Sequence, residues 1–258
     1  MEELNAIAKD ARLKVLQLIF KAQTSHIGSN FSVIDILAVL FNKVDMVKDE
    51  VVLSAGWKAA AWYYFLWRKG VITEEELNSF CMEGSQFIGL VEPMERWGLR
   101  IAGGSMGLGF PASVGMAMAK KMKGEEGTVY CLMSDGEQAI GTTHESALIA
   151  AHHNLHNLVV IVDNNGLQAM GPVSQVLCLQ QLEQIWWSWG WDWVITDGHD
   201  FHQIQESLER NTPHIKPTVI IANTTKGKGV SFMANENLWH YAQIKDDDYE
   251  KARAELNG

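Results

Sequence analysis

The sequence has few cysteines, few prolines and no long apolar run, and each shortage excludes a class of protein. Its three cysteines, Cys81, Cys131 and Cys178, are odd in number and widely spaced, so they indicate neither a disulfide framework nor a zinc cluster. No apolar run approaches the roughly 18 to 20 residues of a membrane span, and the N-terminus MEELNAIAKD does not resemble a signal peptide. We therefore expect a cytoplasmic protein that does not contact a membrane.

Positive charge is also scarce. The chain has 21 Lys and Arg residues against 31 Asp and Glu residues, a formal net charge of −10 that would repel a phosphate backbone, so we expect no nucleic acid partner. The 258 residues, 47% of them hydrophobic, are enough for one large core. Because no repeat, low-complexity tract or Pro/Gly linker divides the chain, we predict a single domain over residues 1–258.

Short apolar runs alternate with helical patterns along most of the chain. The runs are apolar on both faces, which is typical of parallel strands covered by helices on both sides. We therefore predict an α/β fold built on a doubly wound, mainly parallel sheet. The predicted strands are residues 51–56, 128–134, 158–163, 191–198 and 217–225.

Several helices are predicted from apolar spacing and from capping residues. Residues 4–22 form the first predicted helix, an Ala- and aromatic-rich helix ends at Lys69, and a small-residue helix lies within 102–122. The acidic tail 245–258 is a solvated helix or a frayed end. The predicted caps are Ser32 with Asp35, Thr73 with Glu76, Thr142 with Glu145, and Asp200.

Asp135 and Asn165 each follow a predicted strand, in the segments LMSDG and VDNNG. Ligands of open α/β sheets bind beyond the carboxyl ends of the strands, and thirty residues is about one strand-helix-strand crossover. Asp and Asn oxygens are hard ligands that suit Mg²⁺ in contact with phosphate. The pair predicts a metal-diphosphate site, whereas either residue taken alone is more simply a turn residue.

Two glycine-rich segments are weaker signals. Glycines between 103 and 109 precede a helix, so backbone N–H groups there could approach a phosphate, but small residues also serve plain helix packing. This segment is neither a dinucleotide fingerprint nor a Walker motif, and KGKG at 226–229 also fails the Walker pattern.

The pair of SDG and, one crossover later, VDNNG resembles the thiamine diphosphate signature, and other segments resemble the transketolase family in the correct order. The resemblance covers nearly the whole of this chain. It concerns only the N-terminal third of a transketolase, the part that binds the diphosphate. The similar segments are SHIG (25–28), LSAG (53–56), GSMGLG (104–109), GTTHESA (141–147), GWDWVITDGHD (190–200) and KGKGVSFMANENLWH (226–240).

The resemblance implies thiamine diphosphate as the cofactor, held through Mg²⁺ or alternatively Ca²⁺ or Mn²⁺. By residue, it implies that Asp135, Asn165 and the carbonyl of Leu167 bind the metal. It also implies that His26 and His240 act at the substrate and at the reactive end of the cofactor, where an imidazole donates a hydrogen bond or moves a proton. The remaining implied cofactor contacts are Gly104, Ser105, Met106 and Gly136, together with Trp57 and His240.

Three positions depart from the family pattern. Trp57 stands where the family usually has a histidine, and Leu90 falls near a second histidine that contacts the donor sugar. Ile140 replaces one of two carboxylates that link paired active sites, while Glu145, the second, remains as a catalytic candidate. These changes concern the sugar substrate rather than the cofactor.

The resemblance also implies that this chain needs a partner. The pyrimidine-binding domain and the catalytic glutamate that ionises the cofactor are expected on a C-terminal transketolase subunit, in a heterotetramer. We predict a split enzyme that transfers a two-carbon ketol unit from a ketose to an aldose, acting on sugars or sugar phosphates. The alternatives are a related two-subunit enzyme with a modified sugar or acyl donor and a non-catalytic assembly subunit; a nicotinamide dehydrogenase is the weakest alternative.

Overall fold

The computed structural model describes residues 1–179, 181–210 and 215–258. Its centre is a sheet of five strands, all parallel, in the order β1-β2-β3-β5-β4. The α/β class and the parallel sheet predicted from alternating apolar runs are confirmed. The strands are β1 (Glu50–Leu53), β2 (Val129–Ser134), β3 (Leu158–Asn164), β4 (Asp192–Asp197) and β5 (Thr218–Asn223).

The register brings the carboxyl ends of three strands to one edge of the sheet. Ser134 on β2 pairs with Asp163 on β3, and Asn164 on β3 pairs with Asn223 on β5. The residues that directly follow these strands therefore lie side by side, as the crossover spacing predicted.

Helices cover both faces of the sheet. The contacts between elements place α1, α2, α3, α9 and α10 in one layer and α5, α6 and α8 in the other. The helices are α1 (Glu2–Ala22), α2 (Ile27–Lys43), α3 (Ala59–Arg68), α4 (Glu74–Asn78), α5 (Gly109–Lys123), α6 (Gly141–His152), α7 (Val173–Val176), α8 (Leu182–Ser188), α9 (Phe201–Glu209) and α10 (Asp246–Asn257).

The side chains of β2 alternate between two cores. Tyr130 and Leu132 pack under the first helical layer, whereas Val129, Cys131 and Met133 pack under the second. Because every one of them is buried, the run is apolar throughout instead of alternating with polar residues. This double burial holds the sheet edge that carries the polar residues in a rigid position.

The predicted cap at Ser32 and Asp35 is wrong, because α2 begins earlier, at Ile27. The Ser32 hydroxyl instead donates to Asp163 at 2.6 Å, and Asp35 forms a buried ion pair with Arg12 at 2.6 Å. Both side chains thus serve contacts across the molecule, which a local capping pattern does not reveal.

The predicted cap at Thr142 and Glu145 is also wrong, since α6 begins at Gly141 without a side-chain cap. The Thr142 hydroxyl donates to the Gly107 carbonyl at 2.8 Å, so it ties α6 to the glycine-rich segment. The other two caps are confirmed: Thr73 with Glu76 forms a capping box, and the Asp200 carboxylate accepts from the backbone at the start of α9.

Across the described ranges, no helix is both long and apolar enough to span a membrane.

Candidate functional site

A cavity of about 280 Å³ lies at the carboxyl-terminal edge of the sheet. Loops that follow β1, β2 and β3 form its walls together with the start of α2 and the segment that precedes α10. This is the place where parallel sheets bind ligands. The predicted site residues that line it are His26, Trp57, Gly104, Met106, Asp135, Gly136, Asn165, Leu167 and His240.

Asp135 directly follows β2 and is buried. One carboxylate oxygen accepts from the Gly136 N–H and the other from the Gly166 N–H, both at 2.7 Å. Burial, followed by the nearby charge of Asp163, raises the pKa of Asp135 to about 6. A bound cation would lower the cost of ionising this buried carboxylate.

Asn165 is held by hydrogen bonds on both sides of its amide. Its side-chain nitrogen donates to Asp163 Oδ2 at 3.2 Å, and its oxygen accepts from the Leu167 N–H at 3.1 Å. These contacts set which end of the amide presents oxygen, and they place that oxygen in the loop that also carries the Leu167 carbonyl. Asp135, Asn165 and Leu167, which carry a carboxylate, an amide and a carbonyl oxygen, thus all line one cavity.

A buried ion pair lies beneath these oxygens. Lys58 donates to Asp163 Oδ2 and, at 3.3 Å, to the Ser29 carbonyl, and the Lys58 and Asp163 side chains are 1% and 0% exposed. Burial by itself would raise the pKa of Asp163, but Lys58 and the hydroxyls of Ser32 and Thr224 hold it below its usual value. Asp163 is therefore a fixed negative charge that orients its neighbours.

His26 and His240 form the other wall of the cavity. Their rings lie 4.9 Å apart edge to face. The backbone N–H of His26 donates to the backbone carbonyl of His240 at 3.0 Å. Burial and the charge of Lys226 lower the pKa of His26 to about 4 and that of His240 to about 3. Both imidazoles are thus neutral at neutral pH, a state in which each can donate or accept one hydrogen bond.

The glycine-rich segment lies directly against the loop that follows β1. A Cβ atom on Gly56 would lie 2.1 Å from the Gly103 carbonyl carbon, so the two backbones approach more closely than any side chain allows. Gly104 has a φ of 111° and supports the Leu90 side chain, which also lines the cavity. Close backbone approach therefore places this segment at the cavity wall.

Comparison with known families identifies this architecture. Residues 4–257 match the family model described as "Transketolase, thiamine diphosphate binding domain". The chain belongs to the transketolase family. The resemblance drawn from the ordered segments is confirmed, as is the expectation of a transketolase-like transferase at the level of the family.

Two relatives of this transketolase-family chain have nearly its own length. It is 34% identical to an apulose-4-phosphate transketolase subunit from Actinobacillus succinogenes, over 99% of this chain and 96% of that protein. It is 30% identical to a 6-deoxy-6-sulfo-D-fructose transketolase subunit from a Clostridium species, over 98% of this chain and 96% of that protein. Both relatives carry the word subunit in their names.

The fold of this transketolase-family chain matches part of a longer solved enzyme. Transketolase from Campylobacter jejuni superposes with a TM-score of 0.94 at 27% identity, covering 100% of this chain and 43% of that one. The similarity therefore concerns less than half of the solved transketolase.

Two predicted site residues of the transketolase-family chain do not line the cavity. Ser105 is exposed beside Met106, and Glu145 is exposed on α6. Neither is therefore brought together with His26 and His240 within this chain. A role at the site for Glu145 stays a prediction that requires a second protein surface.

Sequence reasoning missed four buried ionisable side chains around the site. Lys58, Asp163 and Lys226 surround the predicted metal ligands, and Glu137 accepts from Ser54 and from the Ser134 N–H beneath Asp135. The available signal was a charged residue inside an apolar stretch, as in LSAGWKAAAW and VVIVDNNG. Lys226 belongs to KGKG, which matched no phosphate-binding pattern.

Proposed function

We propose that this chain is the thiamine diphosphate-binding subunit of a split transketolase-like enzyme that transfers a two-carbon ketol unit from a ketose to an aldose. The observation that carries the proposal is the convergence of Asp135, Asn165 and Leu167 in one cavity with His26 and His240. In this proposal residues 1–258 form the diphosphate-binding domain. A C-terminal transketolase subunit supplies the pyrimidine-binding domain and the catalytic glutamate, and the two proteins assemble as a heterotetramer.

The residues of the cavity fit a magnesium-diphosphate group. A carboxylate, an amide oxygen and a carbonyl oxygen are hard ligands, which favour Mg²⁺ over softer metals. No group of three or more His, Cys, Asp or Glu side chains suited to a metal occurs within the described residues, so an all-side-chain zinc site has no support there. In the proposal Asp135, Asn165 and the Leu167 carbonyl hold Mg²⁺, and Gly136 lies against the diphosphate.

The cofactor, when bound, supplies the carbanion chemistry of ketol transfer. In the proposal this chain holds and orients the cofactor and shields it from water. Gly104 and Met106 would form the wall beside the cofactor rings, and the two neutral imidazoles would donate hydrogen bonds to ligand oxygens. With pKa values of about 4 and about 3, they are suited to hydrogen bonding rather than to proton transfer near neutral pH.

A modified sugar donor is the second candidate function. Trp57 and Leu90 line the cavity at places where the family resemblance predicts histidines, so apolar surface and one indole N–H replace two imidazoles. The two relatives are named for apulose 4-phosphate and for 6-deoxy-6-sulfo-D-fructose. We propose that the donor of this enzyme likewise differs from the common ketose phosphates.

The decisive experiment uses this chain together with the protein encoded by the neighbouring gene. We expect Mg²⁺-dependent thiamine diphosphate binding by calorimetry and ketol transfer by the mixture, both abolished by Asp135→Ala. The control is Asp246→Ala, which removes an exposed carboxylate at the start of α10 and should leave binding and turnover unchanged.

Three outcomes would contradict parts of the proposal. Unchanged binding and activity in Asp135→Ala would exclude the metal site and favour a non-catalytic assembly role. Full activity of this chain without the second protein would exclude a split enzyme. A donor screen that finds turnover only with common ketose phosphates would exclude the modified-sugar candidate.

A further inference from the structure

Strand β4 is one edge of the five-stranded sheet, and no strand of the described ranges lies on its outer side. The backbone N–H groups of Asp192 and of Gly198, which directly follows the strand, donate to carbonyls on the β5 side at 3.0 and 2.8 Å. Because backbone groups alternate in direction along a strand, those of Trp193 and Ile195 point away from β5. Two N–H and two C=O groups are therefore available on this edge.

A groove runs along the open edge, between β4 and α9. It consists of two cavities of about 540 and 560 Å³ that share Ile195, Thr196 and Gln203. The Thr196 hydroxyl is buried at its floor and has no hydrogen-bond partner within the described part of the chain, which is uncommon for a buried polar atom. Because β4 has six residues, the groove has room for an extended segment of the same length, roughly 20 Å.

The two sides of the groove differ in chemistry. On the α9 side, Glu206 and Glu209 line it and are exposed. The opposite face of β4 is apolar, since Trp193 and Ile195 lie beside the second core and are still 43% and 47% exposed. The basic side chains that line the groove stand at its two ends and are Arg210 and Lys228.

We propose that this groove binds an extended segment of another protein, which joins β4 as a sixth strand and in which basic residues alternate with apolar residues. The period of two along a strand directs the basic side chains to Glu206 and Glu209, and the apolar ones to the exposed face of β4. Backbone hydrogen bonds to Trp193 and Ile195 supply affinity, and the carboxylates select the charge. The groove shares no lining residue with the cavity described above, so the inference does not rest on the proposed function.

A second copy of this chain is disfavoured as the occupant. Antiparallel pairing of two β4 strands, centred on each other, would set Asp192 of one copy against Asp197 of the other at both ends, and like charges directly opposite are destabilising. The formal net charge of −10 on each copy adds to the repulsion. A basic segment meets neither obstacle.

Hydrogen exchange of the full chain, followed by NMR for each amide, tests the open edge. In the free chain the amides of Trp193 and Ile195 should exchange fast, whereas those of Val194 and Thr196, which face β5, should exchange slowly. The probe is an acetylated and amidated peptide of three lysines and three valines in alternation, which should slow exchange at Trp193 and Ile195 by about tenfold or more. Protection of these two amides in the free chain, or unchanged exchange with millimolar peptide, would overturn the proposal.

Two N-methylated versions of the peptide test the strand pairing itself. One carries methyl groups on the backbone nitrogens of the lysines and the other on those of the valines, so each lacks the donors of one edge. By calorimetry one version should keep its affinity and the other should not bind, and the version that fails gives the direction of the added strand. Equal affinity of the two, or no binding by either, would overturn the proposal.

Glu206→Lys tests the charge of the groove. It should weaken binding of the unmethylated peptide by about fivefold or more, because repulsion replaces an exposed ion pair. Glu250→Lys is the matched control, since Glu250 is also an exposed helical glutamate beside a basic side chain one turn away, and it should leave the affinity unchanged. Equal effects of the two variants would show that only the net charge matters and would overturn the groove as the binding site.

Discussion

The floor and the rim of the cavity are built in opposite ways. The floor, which we define as Lys58, Asp135 and Asn165 together with the buried Asp163 and Lys226 behind them, consists of polar groups with hydrogen-bond partners inside the chain. The rim, which we define as Met106, Met170 and Tyr241, is exposed, with Met170 79% and Tyr241 64% accessible.

This contrast indicates which parts of the site the chain completes by itself. Buried charges are tolerated only when they are paired and hydrogen-bonded, so the floor must be assembled as soon as the chain folds. Exposed apolar side chains around a polar cavity carry no such requirement and are typical of surfaces that meet another molecule. In the proposed function the floor holds the metal and the diphosphate, and the rim meets the second protein.

The largest expected effect comes from breaking the buried pair of the floor. Lys58→Met leaves the Asp163 carboxylate buried without its counter-ion, which should lower the free energy of unfolding by about 3–5 kcal/mol. Urea denaturation measures the change. Lys48→Met removes an exposed lysine paired with Glu126 and should have little effect, because solvent screens that pair. Similar effects in the two variants would contradict the contrast between buried and exposed charges.

An intermediate effect is expected from acid. The folded chain holds His26 and His240 at pKa values of about 4 and about 3, below the ordinary 6.5, so between these values the unfolded chain binds protons that the folded chain does not. The contribution of the two histidines to stability is therefore complete above pH 6.5 and falls as the pH decreases towards 4, by up to about 1.4 kcal/mol per pH unit for each histidine. Asp135, whose pKa is raised to about 6, opposes this fall in the wild-type chain and in the variant alike. Urea midpoints between pH 4 and 7 should show a smaller slope in His26→Gln.

The acid prediction has a control on the rim. Met170→Leu removes no titratable group and should keep the wild-type dependence on pH. If His26→Gln has the same slope as the wild-type chain, the neutral state assigned to this buried imidazole is wrong.

The smallest effect on the isolated chain is expected outside the cavity, at Glu145. Glu145→Gln changes an exposed carboxylate on α6 that lies outside the cavity, so the urea midpoint of the chain alone should not change. The activity of the complex should fall if Glu145 transfers protons across a subunit interface. A stability loss in the chain alone would show that Glu145 has a structural role within it, and unchanged activity of the complex would remove it from the catalytic candidates.

The pattern of apolar runs was sufficient to predict the parallel sheet, because each run is mainly apolar and each connection between runs is long enough for a helix. The four predicted strands that begin at residues 128, 158, 191 and 217 are all strands in the structure, and each of their ends lies within two residues of the predicted one. Asp135 and Asn165 were accessible to the same reasoning, since they follow neighbouring strands and so must lie at one edge of the sheet. The capping predictions at Ser32 and Thr142 were wrong because both hydroxyls donate to groups that are distant in sequence but close in the fold. These acceptors are Asp163 for Ser32 and the Gly107 carbonyl for Thr142.

What the sequence by itself determined is the fold class, the family and the edge of the sheet where Asp135 and Asn165 meet. Only the tertiary structure decided that Lys58 neutralises Asp163 and that Lys226 reaches His240. The physical reason is that strand and crossover patterns are local in the chain, whereas a buried charge is defined by partners far apart in sequence, here 105 residues for Lys58 and Asp163.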